Sequence, residues 1–159
     1  MEALAQPTAA TYLKVKCAEG EDRPSEGGQF VFAVKFDIED NAVQVSTRPQ
    51  QSRPPRVPPR PLGITFREPP KRGAKTPMQQ FFAICTTGIA TVRLTKSTAG
   101  SASVGTYLYC DPDTGDILTD ALLAGRPRSP PLPPVAMVLE CRPLEQLARV
   151  LLLAHAAAG

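Results

Sequence analysis

Residues 62–96 constrain the fold more than any other part of the sequence, because the local signals in this interval agree on one order of elements. Thr76 provides the hydroxyl group of a helix N-cap, and Pro77 occupies the first helical position. Gln79 stands three residues after the N-cap, where its side chain closes a capping box. The interval therefore predicts a helix that is preceded and followed by strands.

The apolar residues that follow indicate where this helix runs and ends. They recur at the spacing of one helical face, at positions 78, 81, 82 and 85. Gly88 then supplies a residue that tolerates the left-handed conformation of a C-cap. We expect an α-helix that begins at Thr76 and ends at Thr87, with strands over residues 61–66 and 89–96.

Much of the remaining chain alternates between apolar and polar residues, with the two-residue period of half-buried strands. In the longest example, residues 29–39, we expect Lys35, Asp37 and Glu39 to face solvent or the lumen of an assembly. The apolar members of this strand are expected to face the core: Phe30, Phe32, Val34, Phe36 and Ile38. Further strands are predicted over residues 12–17, 42–46 and 135–141, and a hairpin over residues 104–110 and 116–123.

The C-terminal part of the chain changes to helical spacing after Pro143. Leu144, Leu147 and Leu151 fall on one stripe with Ala148, which predicts a C-terminal helix to about residue 157, although residues 150–153 could instead continue a strand. The predicted fold is a single domain over residues 1–159. It is mainly β, a small antiparallel β-barrel or sandwich with one flanking α-helix and a C-terminal helix.

Positive charge is concentrated in one interval, although the chain as a whole carries only +3. Residues 46–75 contain eight basic residues and one acidic residue, so this interval carries +7 and the rest of the chain −4. Six of the 18 prolines lie between Pro49 and Pro61, which favours an extended polyproline conformation. We expect residues 47–61 to form an exposed loop and residues 126–134 to form a second proline-rich connection.

The basic loop is the feature with the clearest partner chemistry, and three interpretations are open. Residues 55–60 match the PxxPxR pattern that aromatic grooves of SH3-type domains bind. Clustered arginines also neutralise phosphates, but the loop has no aromatic residue on which a base could stack. The loop could equally contact an acidic face of a second copy. The expected contact residues are Arg48, Arg53, Pro55, Arg56, Pro58 and Arg60, together with Lys35, Asp37 and Glu39.

No pattern in the sequence indicates catalysis, a metal site or a cofactor. The four cysteines are widely spaced and are expected to be free, largely buried thiols. His155 is the only histidine, and it has no acid or cysteine at helical spacing. The segment from Asp111 to Gly115 superficially resembles a calcium loop but favours a hairpin turn, because the later glutamate ligand is missing.

The order of predicted elements resembles the Hcp tube protein of type VI secretion. The similarity lies in Tyr12-Leu13-Lys14-Val15, in Pro61-Leu62-Gly63-Ile64-Thr65-Phe66, and in the helix from Lys75-Thr76-Pro77 to Phe81-Phe82-Ala83-Ile84-Cys85-Thr86-Thr87-Gly88 with the strand Ala90-Thr91-Val92-Arg93-Leu94. That family is similar in fold to the tail-tube proteins of contractile phages. Its small β-barrels form six-membered rings that stack into a hollow tube.

The resemblance implies a non-catalytic structural subunit that self-assembles into the inner tube of a contractile injection or tail machine. Its partners would be other copies of itself and sheath or baseplate proteins, with nucleic acid only as passing cargo. Joining neighbours edge to edge would also protect the strand edges of an open sheet. No apolar window approaches the about 20 residues of a membrane span, and we expect assembly in the cytoplasm before release in a particle or virion. The alternative is a protein-interaction module or shell component that uses the proline-rich loop.

Overall fold

The computed structural model describes residues 7–18, 27–49, 60–66, 81–111, 113–125 and 132–153. Nine strands in these ranges form one continuous sheet, and two short helices and a 3-10 turn at Pro143–Glu145 accompany them. The strands are β1 Thr8–Cys17, β2 Phe30–Asp37, β3 Ala42–Ser46, β4 Gly63–Thr65, β5 Phe81–Arg93, β6 Tyr107–Cys110, β7 Ile117–Thr119, β8 Ala136–Arg142 and β9 Leu147–Leu152. The helices are α1 Lys96–Ser101 and α2 Asp120–Ala124.

Five of the strands close into a barrel, in the order β1-β3-β2-β4-β5, because β5 also pairs with β1. All pairs in this barrel are antiparallel except β1 with β3. Its interior is filled by Val15, Val31, Val45 and Ile84, none of which is more than 2% exposed. The predicted mainly β fold with a small barrel is confirmed.

A second group of strands extends from the barrel through β5. This 13-residue strand pairs with β1 and β4 over its first half and with β9 over its second half, and the sheet continues through β8 and β6 to β7. The larger apolar core lies between this extension and the outside of the barrel. It includes Phe30, Phe32, Ile64 and Cys85 from the barrel strands and Val92, Leu108 and Val150 from the extension.

The helix predicted from Thr76 to Thr87 is wrong over the residues that the structure describes, because Phe81 to Thr87 form the first half of β5. The segment is rich in aromatic and β-branched residues, which favour a pleated strand. The side chains of Phe82 and Ile84 pack inside the barrel, and the side chain of Cys85 packs in the larger core outside it. The capping residues Thr76 to Gln79 lie outside the described residues.

The predicted C-terminal helix is also wrong over residues 147–152, which form β9. Ala148, Val150 and Leu152 are buried in alternation, and β9 lies between β5 and β8, so long-range pairing overrides the helical spacing. In the 3-10 turn before β9, Glu145 Oε2 lies 3.5 Å from Arg142 Nη1. Residues 154–159 lie outside the described ranges.

The hairpin predicted around residues 111–115 is confirmed, with two changes in its surroundings. β6 and β7 pair antiparallel, and the amide group of Asp111 donates to the carbonyl oxygen of Asp116. The second predicted strand, however, ends at Thr119 and continues as α2. The strand predicted over residues 89–96 likewise ends at Arg93, and Lys96 begins α1, which Thr95 caps.

Candidate functional site

The outer surface of β1 and β5 brings aromatic rings and a lysine together. Tyr12 and Lys14 alternate outward from β1, and Lys14 lies opposite the exposed Ala83 on β5. The ammonium group of Lys14 lies 4.4 Å from the ring centroid of Phe81, within the range of a cation–π contact. We call the surface formed by Tyr12, Lys14, Phe66 and Phe81 the aromatic face.

Tyr12 is the most exposed aromatic residue of the aromatic face. Its ring centroid lies 5.1 Å from that of Phe66 with the planes tilted by 54°, an arrangement that aromatic pairs favour. Tyr12 nevertheless remains 52% exposed, so Phe66 supports the ring from one side and leaves much of it accessible. The small side chain of Ala83 lies nearby at the centre of the face.

Next to the aromatic face, Lys16 forms an ion pair with the β2–β3 hairpin. Its Nζ atom lies 2.5 Å from Asp37 Oδ2 and 2.6 Å from Asp40 Oδ2. The hydrogen bond from Lys16 is the main cause that lowers the pKa of Asp37 from 3.8 to about 2, and the amide group of Asp40 contributes. The same carboxylates raise the pKa of Lys16. The pair ties the hairpin to β1.

A β-bulge in β2 changes which residues the hairpin exposes. The register with β3 shifts between Ala33 and Lys35, so side chains after the shift exchange faces. The expectation that all five alternating apolar residues face the core is therefore wrong, although Phe30 and Phe32 are buried. We call the exposed remainder the hairpin ridge: Val34 is 37%, Phe36 55% and Ile38 84% exposed.

A second exposed apolar surface lies on the extension. Val104 is 73%, Tyr107 42% and Leu139 36% exposed. These residues are close in the fold, because the amide group of Gly105 donates to the carbonyl oxygen of Val138 and Tyr107 pairs with Met137. We call this surface the β6–β8 patch. In the sheet it is separated from the hairpin ridge by β4, β5 and β9.

The predicted contact residues are only partly described. Arg48 is exposed beside the end of β3, and Arg60 is half-buried before β4. Lys35 is exposed and Asp37 half-buried on β2, and Glu39 is exposed in the turn that follows. The remaining predicted contact residues lie outside the described residues: Arg53, Pro55, Arg56 and Pro58.

Sequence reasoning missed the aromatic face. The alternation of residues 12–17 places Tyr12 and Lys14 on one side of a strand, which is a signal that the sequence does contain. Phe81, however, falls in the predicted helix, and no local pattern shows that Phe66 and Phe81 lie beside Tyr12 and Lys14. Only the pairing of β5 with both β1 and β4 brings these residues together.

The cysteines and the residue 111–115 turn have structural roles. All four cysteines are free, as predicted, and Cys85 and Cys110 are buried. Burial raises the pKa of the Cys85 thiol, and burial with nearby Asp111 and Asp116 raises the pKa of Cys110 to about 12, so neither thiol is primed as a nucleophile. In the turn, Asp111 Oδ1 accepts a hydrogen bond from the amide group of Asp113 at 2.8 Å.

An open cleft between described residues has no catalytic arrangement in its described lining. It measures about 310 Å³ and lies between the start of β2, the end of β5 and the β6–β7 turn. Arg93 and Asp116 are the ionisable residues of its described lining. Arg93 Nε donates to the carbonyl oxygen of Gly27 at 2.9 Å, which is a structural role. Within the described ranges, no group of three or more acidic, cysteine or histidine side chains could hold a metal ion.

Comparison of the chain with protein-family models, with curated proteins and with solved structures finds no match. None of the helices in the described ranges has the length and apolar character that a membrane span requires.

Proposed function

We propose that the protein is a structural subunit that self-assembles by placing the hairpin ridge of one copy on the β6–β8 patch of the next. The observation that carries this proposal is the exposure of two separate apolar surfaces on one small fold. Following the resemblance to Hcp-like subunits, the assembly is a ring that stacks into the inner tube of a contractile injection or tail machine.

Two different surfaces in contact make a heterologous interface. Such an interface leaves one surface of each end subunit unused, so assembly continues until a ring closes or a filament grows. A ridge and a patch that lie in different parts of the fold meet this requirement. Burial of side chains such as Phe36 and Ile38 in the interface would stabilise the assembly by roughly 25 cal/mol for each Å² of apolar surface buried.

The proposed contact uses side chains rather than strand edges. The pairing of β1 with β5 closes the barrel, so each of its five strands has a neighbouring strand on both sides. In the described sheet, β7 has a partner on one side only, but it is three residues long and its side chains are buried. The hydroxyl group of Thr98 also donates to the carbonyl oxygen of Ile117 on this strand. β7 therefore offers little exposed edge with which a strand of another copy could pair.

The alternative proposal, an interaction module that uses the proline-rich loop, depends mainly on residues outside the described ranges. Mutation can separate the two proposals, because Arg56 and Arg60 belong to the loop and Phe36 does not. Replacing both arginines should leave self-assembly unchanged if the hairpin ridge carries it.

Sedimentation velocity and negative-stain electron microscopy test the proposal. We expect the wild-type protein to form rings or tubes, and we expect Phe36→Ser and Tyr107→Ser each to abolish assembly. Phe36→Ser removes the ridge of a subunit and Tyr107→Ser removes its patch, so an equimolar mixture retains one working interface. The mixture should therefore form dimers and no larger species.

Leu144→Ser is the matched control, because Leu144 is fully exposed and lies outside both surfaces. This variant should assemble like the wild type. A wild-type protein that stays monomeric at high concentration would overturn the proposal. Equal loss of assembly in Leu144→Ser would also do so, because general surface hydrophobicity would then be the cause.

A further inference from the structure

The aromatic face combines two groups that unpaired nucleotides bind. An exposed aromatic ring stacks a base whatever its sequence, and a neighbouring cation attracts the phosphate. Tyr12 offers the ring, at 52% exposure, and Lys14 offers the cation two residues along the same strand. Phe66, which directly follows β4, supports Tyr12 through a ring contact at 5.1 Å, and Phe81 on β5 supports Lys14 through a cation–π contact at 4.4 Å.

The neighbouring lysine shows why Lys14 is the relevant cation. Lys16 faces the same side of β1, but Asp37 and Asp40 lie 2.5 and 2.6 Å from its Nζ atom and neutralise it. The ammonium group of Lys14 instead lies against a neutral ring, which positions the charge without cancelling it. The face therefore presents positive charge beside Tyr12.

The segment that joins Phe66 to Phe81 is basic in sequence. Residues 67–80 lie outside the described structure and are not part of the proposed surface. Their sequence contains four basic residues and Glu68 as the only acidic one. A segment with this composition is attached at both of its ends to the aromatic face, which favours an anionic ligand over a neutral one such as a carbohydrate.

We propose that the aromatic face binds single-stranded nucleic acid. A base stacks on Tyr12, and an adjacent phosphate contacts the ammonium group of Lys14; Phe66 and Phe81 are positioning residues. A single strand fits better than a duplex, because the bases of a duplex are already stacked on one another and are not available to Tyr12. This function is independent of self-assembly, since the face contains no residue of the hairpin ridge or of the β6–β8 patch.

Fluorescence anisotropy with a labelled oligothymidylate tests the proposal; a length of about 15 nucleotides suits the site sizes of small single-strand-binding modules. We expect binding to the wild-type protein at low salt. Tyr12→Ser should weaken it by about tenfold, the effect of losing one stacked base. Lys14→Ala should lower the dependence of log affinity on log salt by about 0.7, the contribution of one phosphate contact to a single strand.

Matched variants at exposed sites outside the aromatic face serve as controls. Leu144→Ser removes a fully exposed apolar side chain that lies outside the aromatic face, the hairpin ridge and the β6–β8 patch, and Lys96→Ala removes an exposed lysine from α1. Both should bind like the wild type, and a blunt duplex of the same length should bind more weakly than the single strand. If Tyr12→Ser does not fold, Lys14→Glu decides the question, because it reverses the charge at an exposed position and should abolish binding at moderate salt.

Three results would overturn the proposal. The first is absence of binding at low salt. The second is equal affinity of the wild type, Tyr12→Ser and Lys14→Ala, which would mean that nucleic acid contacts basic residues elsewhere. The third is equal affinity for duplex and single strand, because recognition by charge alone does not need an exposed ring.

Discussion

The backbone of Ala9 occupies the space that a side chain on Gly88 would need. A Cβ atom built on Gly88 would lie 2.5 Å from the carbonyl oxygen of Ala9, and the glycine itself has φ = +103°. Ala9 also has a positive φ, of 49°, and lies where the register between β1 and β5 shifts. The two backbones therefore approach closely at one end of the pair that closes the barrel.

Gly88→Ala should destabilise the protein by about 3 kcal/mol, because it combines an unfavourable φ with a clash against backbone that cannot easily move. Gly105→Ala is the matched control, since Gly105 has φ = +89° but no atom within 4 Å of a built Cβ. The control should cost about 1 kcal/mol, the usual penalty for a left-handed residue. Urea unfolding measures both, and equal losses would show that the close approach to β1 is not energetically important.

Thr98→Val should destabilise the protein by about 2 kcal/mol, because it leaves a buried carbonyl group without its donor. The hydroxyl group of Thr98 donates to the carbonyl oxygen of Ile117, and Thr98 is fully buried. Ser97→Ala, at the exposed neighbour in the same helix, should cost less than about 0.5 kcal/mol. Thermal unfolding compares the two, and a neutral Thr98→Val would contradict the role given to this bond.

The Lys16–Asp37 ion pair should make stability depend on pH in the acid range. The pKa of Asp37 is lowered from 3.8 to about 2. The stabilisation that its carboxylate gives the folded state is therefore complete above about pH 5 and is lost as the pH falls through 2. In Asp37→Asn this carboxylate no longer titrates. The difference in free energy of unfolding between wild type and variant should therefore shrink between pH 5 and 2, as chemical denaturation at each pH would show. A constant difference would contradict the pairing.

The cysteines should divide into two classes of reactivity. Cys17 and Cys141 are partly exposed, whereas Cys85 and Cys110 are buried, and burial raises the pKa of Cys85, Cys110 and Cys141, so exposure separates the two classes. At pH 8 a thiol reagent should therefore modify Cys17 and Cys141 in the native protein and all four in guanidinium chloride. Peptide mapping by mass spectrometry identifies the sites. Rapid native labelling of Cys110 would show that the core opens more readily than its burial indicates.

The strands were more predictable from the sequence than the helices, for a physical reason. Residues 12–17 alternate with the two-residue period of a strand. They lie in β1, and the strands predicted over residues 42–46 and 135–141 correspond to β3 and β8. The segment from Phe81 to Thr87 fits both the helical period and the two-residue period of a strand, because Phe82 and Ile84 are two residues apart. The strands that pair with them, β1 and β4, are distant in the sequence, so no local pattern predicts this pairing.

The surfaces were less predictable than the fold. The apolar alternation from Phe30 to Ile38 is unbroken in the sequence, so nothing local indicates the register shift that exposes Phe36. The sequence places Tyr12 and Lys14 on one side of a strand, but the supporting ring of Phe66 follows β4 and that of Phe81 lies on β5. A surface that several strands build depends on barrel closure, which a single sequence does not reveal.

Because β5 belongs both to the barrel and to the extension, the described fold cannot be divided within this strand without damage to both halves. A nick or a domain insertion within residues 81–93 would deprive both halves of a shared strand, so neither fragment should persist as a folded unit. Engineered fusions and split versions of this protein should therefore join at the turns, where the backbone belongs to one half alone.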